Sequence, residues 1–278
     1  MWLASRFSRF CFLAGLAIFL GLGSSYSTEL PAAEDPDAIL QQISYKVADH
    51  LSHLPNYTCH EVINRLVSPL HGGGLRQHDR VELEVAFIGQ EELFARAGDT
   101  HIQESSISKL VPTGAMGNGL FGTHAESIFL TSAATFDYAG IVDKDGRKTY
   151  RYDFQVPVEK SSFSVGHNGA EAIVAYRGSI WADLNTLDLI SLEVRADQFP
   201  PYLRLSSVRE QSEYTPLRIR SSEFFLPLHA QLEIVDNLGN LSVNEINLEQ
   251  CREYTGESTV MFEGPVDRAS DNHKSSDK

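Results

Sequence analysis

The chain has 278 residues, 10% of them aromatic, and a formal net charge of −14. A surface this acidic repels phosphate backbones and anionic headgroups, which excludes nucleic acid and direct electrostatic docking on a membrane as the main partner. The length suits one large β domain or two small ones.

The N-terminus reads first. Arg6 and Arg9 precede an apolar run from Cys11 to Leu22 that only glycines interrupt, and Gly23, Ser24, Ser25 and Ser27 follow it. That run is too short to cross a bilayer as a stable helix, and the order of charge, apolar core and small residues is that of a cleavable secretory signal over residues 1–27. An uncleaved N-terminal anchor is the alternative. Cys11 opens the run instead of following it, which argues against a lipid anchor. Removing residues 1–27 takes away two arginines and no acid, so the mature chain is more acidic still. No later apolar stretch is long enough for an integral membrane span, and a periplasmic or secreted location is expected.

A helix is predicted next. Asp35 can cap it, Pro36 suits its first position, and Asp37 complements the positive end of its dipole. Ile39, Leu40, Ile43, Val47 and Leu51 form one apolar stripe, and Pro55 turns Leu54 away from helix. Such a helix is not stable alone in water, so its stripe must cover something, most simply a sheet.

Period two then takes over. Val81, Leu83, Val85 and Phe87 alternate with Glu82 and Glu84; Tyr150, Tyr152, Phe154 and Val156 with Arg151, Asp153 and Gln155. Ile190, Leu192 and Val194 alternate with Ser191, Glu193 and Arg195, and Leu228, Ala230, Leu232 and Ile234 with His229, Gln231 and Glu233. Strands with one buried and one wet face belong to antiparallel sheets. Asp143-Lys144-Asp145-Gly146 and Asp236-Asn237-Leu238-Gly239-Asn240 read as hairpin turns, and Leu184-Asn185-Thr186 as another. Residues 102–135 break the alternation, while Phe121, Ala125, Ile128 and Phe129 recur at helical spacing, so a helical insertion is predicted to lie across the concave side of a curved sheet. From Glu263 to Lys278 the chain is polar and without periodicity, which reads as a disordered tail.

The expected fold is therefore α+β, mainly antiparallel β. A curved half-barrel sheet of roughly ten strands between Tyr57 and Tyr254 carries an N-terminal helix and a central helical insertion. One domain covers residues 35–262.

Cys59 and Cys251 remain after signal removal, and an even pair in an exported chain favours a disulfide. Closing so long a loop is worth roughly 4–5 kcal/mol in the chain-entropy model. Two reduced buried cysteines, or a thiol nucleophile, are the alternatives.

No constellation specifies an enzymatic reaction. His71-Gly72-Gly73-Gly74 matches the oxyanion-hole segment of some lipases, but the G-x-S-x-G elbow that chemistry requires is missing. His60-Glu61 opens like a zinc-binding H-E-x-x-H, yet Asn64 stands where the second histidine belongs, and the segment reads as strand. His50 and His53 can share a helix side without a third ligand. Asp143 and Asp145 lack the later ligands of a calcium loop. No metal and no cofactor are expected. The aromatic residues are numerous, and on a curved sheet Phe121, Phe129 and Trp181 are the candidate lining of an apolar ligand space; a filled core is the plainer alternative.

The order of elements, together with Gly178-Ser179-Ile180-Trp181-Ala182-Asp183 and Phe225-Leu226-Pro227, resembles the LolA/LolB-type lipoprotein-carrier superfamily. Leu54-Pro55-Asn56-Tyr57-Thr58-Cys59 with Arg65 resembles the opening of a group of exported proteins from soil bacteria. The resemblance spans most of Asp35–Tyr254. It implies an unclosed β half-barrel wrapped around helices, with an apolar cavity for acyl chains. A carrier's cavity arginine is not assigned to any one position here, and the family does not require the disulfide. A non-enzymatic carrier of an apolar or acylated ligand is one expectation. An envelope module that binds proteins through its outer face or sheet edge, with a filled core, is the other.

Overall fold

A computed structural model describes residues 35–68, 74–89, 91–99, 101–104, 106–111, 123–167 and 170–254. The expected signal segment, the 263–278 tail, His71 and Phe121 lie outside them.

Helix α1 (Pro36–His53) follows its sequence signals, with Asp37 in the first turn and His50 and His53 in the last, where each charge sign suits the dipole. Ile39, Ile43 and Val47, spaced by four, are its buried stripe. Among the described residues twelve strands follow: β1 (Tyr57–Ser68), β2 (Arg76–Ile88), β3 (Glu91–Arg96), β4 (Thr135–Lys144), β5 (Arg147–Val156), β6 (Ser164–His167), β7 (Ala170–Ile173), β8 (Tyr176–Asp183), β9 (Leu189–Ala196), β10 (Leu205–Ile219), β11 (Ser222–Asp236) and β12 (Leu241–Glu253). Two short helices, α2 (Ile107–Leu110) and α3 (Thr123–Phe129), stand between β3 and β4.

Ten of the strands form a single antiparallel sheet in the order β3-β2-β1-β12-β11-β10-β9-β8-β5-β4. It is curved and open, with β3 and β4 as its two edges. The small β6–β7 hairpin is separate. It was not foreseen, because four-residue strands are too short to display a period; its Val165 and the preceding Phe163 join the core.

The two wings of the sheet meet where the first strand pairs with the last. Ile63 lies opposite Ile246, and Cys59 is bonded to Cys251 across the same pair of strands, 192 residues apart in sequence. The register slips at that point, between Thr58 and His60, and Gln250 takes a left-handed φ of 50°, so β12 carries an extra residue beside the disulfide.

Local chemistry sets the turns. At the β4–β5 hairpin Asp145 and Gly146 have φ of 54° and 81°, the two positive values of a type I′ turn, and the Gly146 N–H donates to Asp143 Oδ1 at 2.8 Å. The Asp143–Gly146 segment is a turn and needs no ion. Gly178 serves a different purpose in β8. A Cβ there would stand 1.8 Å from the Glu193 carbonyl oxygen and 2.8 Å from the Phe154 ring, so only glycine lets that ring lie against the strand.

Candidate functional site

Alternation assigns each strand an inner and an outer face. Tyr57, Cys59, Glu61, Ile63 and Arg65 of β1 point inward, opposite Phe87, Val85, Leu83 and Val81 of β2. The same face continues through Ile246 and Leu248 of β12 and Ala230 and Leu232 of β11. Beyond them come Val208, Glu210 and Ser212 of β10, Leu192 and Val194 of β9, Ile180 and Ala182 of β8, and Tyr150, Tyr152 and Phe154 of β5.

Two helices lie over this face. The Tyr152 hydroxyl donates to the Pro36 carbonyl at 2.7 Å and so pins the start of α1. Lys46 reaches the β8–β9 turn, donating to the Thr186 carbonyl at 2.7 Å and pairing with Asp188 at 2.6 Å. Helix α3 buries Ala125 and Ile128, and Ser127 shares a hydrogen bond with the Tyr176 hydroxyl at 3.0 Å. Its His124 packs edge-on against Phe163 and lies 3.4 Å from a Glu210 carboxylate oxygen.

The inner face divides in character. From β9 to β5 it is apolar and aromatic. From β3 to β10 it carries buried ionisable groups: Tyr57, Glu61, Arg65, Glu92, Glu210 and Tyr214, with His124 above them. Arg65 is matched, its Nε donating to Asp79 Oδ1 at 2.6 Å, and this bond holds the Asp79 carboxyl below its ordinary range. Burial alone would lower the His124 pKa, but the charge of Glu210, its hydrogen bond and the charge of Glu92 leave it raised.

Glu61 is different. Only 1% of it is exposed, and its Oε2 has no hydrogen-bond partner among the described residues. Burial, with the charge of nearby Glu92 adding to it, pushes its pKa up to about 8. Burial and the same Glu92 charge also raise Tyr57, and burial with Glu210 raises Tyr214. These groups are close enough to feel one another's charge, and they form the one polar zone of the hollow among the described residues.

The predicted lining residues fare unequally. Phe129 packs at the apolar end, its ring stacked on Phe136 of β4 at 5.9 Å. Phe121 lies outside the described residues. Trp181 is corrected: it alternates with the buried Ile180 and Ala182, so period two turns it to the outer face, where Arg151 and Lys144 lie 5.5 and 5.8 Å from its ring centre. It is not part of the inner lining.

The remaining motifs resolve by the same geometry. His60 sits on the outer face, 3.3 Å from Glu84 and 3.5 Å from Glu82, while Glu61 faces inward, so the two do not converge. His50 stacks on Phe225. Among the described residues no group of three or more His, Cys, Asp or Glu side chains could hold a metal ion. Ser52, His53 and Asp49 gather at the end of α1, but the serine hydroxyl and the aspartate both meet His53 Nδ1, which is not a relay geometry. A cleft of about 580 Å³ runs along the outward side of α1, lined by Gln42, Tyr45, His50 and Leu187 among others. No helix among the described residues is long and apolar enough to cross a membrane.

The fold and this site define an open, mostly antiparallel β half-barrel with helices on its concave face. The chain is similar to several solved structures. A DUF1329 family protein from Desulfovibrio piger aligns at 14% identity and a TM-score of 0.41, over 81% of this chain and 95% of that one. A putative outer membrane lipoprotein-sorting protein domain from Vibrio parahaemolyticus aligns at 10% identity and 0.40, over 78% and 93%. A LolA superfamily protein from Nitrosomonas europaea aligns at 11% identity and 0.39, over 78% and 94%. No family model and no curated protein matches the chain.

Proposed function

We propose that the chain is a non-enzymatic, exported binding protein that takes an apolar ligand, such as an acyl chain, on the concave face of its half-barrel. The observation that carries this reading is the build of that face. It is apolar and aromatic across β5, β8 and β9, it belongs to a sheet that does not close, and among the described residues α1 and the seven-residue α3 lie over it, with Phe163 packed beside them. A short helix held by a few side-chain contacts is a cover that can move aside at modest cost. The test is native mass spectrometry with lipid extraction of the purified protein, alongside uptake of a fluorescent lipid. A co-purifying lipid or saturable uptake is expected. A clean apo mass with no uptake ends the carrier reading.

A second reading has its own support. Tyr45 is 73% exposed and borders the cleft on α1. An exposed aromatic beside an apolar-lined groove suits a protein partner in the cell envelope, and Tyr45→Ala abolishing capture of such a partner, with lipid uptake intact, favours this role over the first.

A further inference from the structure

Away from the concave face, the outer side of the sheet near the disulfide holds a recess of about 350 Å³. Residue size explains its place. Further along β1 and β2 the outward positions carry His60, Glu82 and Glu84, but towards this end they are Thr58, Ala86 and Ala95, small residues that stand low on the sheet and are buried. Walls rise on either side of them. After β3 the chain turns back: the Asp99 N–H donates to the Arg96 carbonyl at 3.0 Å, Gly98 takes a φ of 86°, and two backbone bonds between Phe94 and Glu104 hold the returning segment. Opposite, just past the Cys59–Cys251 bond, the Tyr254 N–H donates to the Asn56 carbonyl at 2.8 Å.

The charges lining the recess are incompletely matched. Glu253 is paired with Arg220. Glu84 Oε1 meets His60 Nδ1 at 3.3 Å, but its buried Oε2 has no hydrogen-bond partner among the described residues. Arg252 Nη2 stands 3.9 Å from that oxygen, beyond hydrogen-bonding reach, and its side chain is 61% exposed. Asp99 adds another carboxylate, which disfavours a ligand whose only charge is negative. A carboxylate and a guanidinium side by side, open to a hollow of this size, form a dipole, and its complement is a dipole of the opposite sense. An α-amino acid carries an ammonium and a carboxylate on one carbon, at the spacing such a pair requires.

We propose that this recess binds a free α-amino acid as its zwitterion, the ammonium donating to Glu84 Oε2, the carboxylate accepting from Arg252, and the side chain lying against Ile102 and Tyr254. The site is separate from the concave face and does not depend on what that face carries.

The test is calorimetric titration of the purified protein at neutral pH and low salt with leucine, leucinamide and N-acetylleucine. Leucinamide keeps only the ammonium, as a peptide's N-terminus would, and N-acetylleucine only the carboxylate, as a C-terminus would. Leucine is expected to bind about tenfold tighter than either, the worth of one hydrogen bond between charged groups. Arg252→Gln is expected to bring leucine to within about twofold of leucinamide, and Glu84→Gln to within about twofold of N-acetylleucine. Leucine matched by either analogue, or leucine failing to bind up to its solubility limit, overturns the proposal. The three ligands on the unaltered chain decide the matter should a variant fail to fold, and lipid uptake by the concave face is unaffected by the outcome.

Discussion

The two wings of the inner face are built from the same kind of strand but are held together differently. Around β5, β8 and β9, Tyr152, Phe154, Ile180 and Leu192 interlock without polar exceptions, and the stability of that wing follows buried area. Around β1 and β10, Glu61, Arg65, Glu210 and His124 interrupt the apolar surface, so stability there depends on partners and on pH. One wing is made to be filled. The other buries ionisable groups, and it gives up stability to hold them.

The largest effect should come from the covalent link that ties the polar wing shut. Replacing both cysteines, Cys59→Ala with Cys251→Ala, is expected to lower unfolding free energy by roughly 4–5 kcal/mol, read by denaturant titration. A change below about 1 kcal/mol would show that β1 and β12 hold without it. Within the apolar wing, Ile180→Ala removes a fully buried side chain and should cost about 3 kcal/mol at every pH tested.

The polar wing should answer to pH instead. The folded chain keeps the Glu61 proton up to about pH 8, whereas the unfolded chain releases it near the ordinary value of 4.5. Between those values the folded state binds the extra proton, so stability falls as pH rises, by up to about 1.4 kcal/mol per pH unit, and levels off above the window. Glu61→Gln should flatten that slope and leave the variant more stable than the parent at alkaline pH, measured by parallel melts. A variant with the parent's slope would place the titration elsewhere. Last and smallest, Arg177→Ala breaks an exposed pair with Asp197 on the outer face and should shift stability by no more than about 0.5 kcal/mol.

Much of this architecture was legible in the residues. Period two located β2, β5, β9 and β11, the stripe of Ile39, Ile43 and Val47 located α1, and the even cysteine pair foretold the bond between Cys59 and Cys251. The site was less so. Counting aromatics led to Trp181, although its place between Ile180 and Ala182 already put it on the wet side. The acids were hidden for the opposite reason. Glu61 follows Tyr57 and Cys59 at the inward parity, but nothing local says that the inner face of β1 is shut off from water; Glu61 is interior because β1 sits between β2 and β12, a strand nearly two hundred residues away in sequence. Long-range burial of a single polar side chain leaves no period behind.

Pairing the first strand with the last also fixes when the sheet can be completed. Most of its contacts join neighbours in sequence, and the β1–β2–β3 wing and the β8–β12 meander can each form early. Their junction must wait until the C-terminal strand has been made, leaving two unpaired edges in a nascent chain. Assembly of this molecule should therefore show a late, slow step whose rate follows β12, and truncation before Leu241 should yield a sticky intermediate that aggregates.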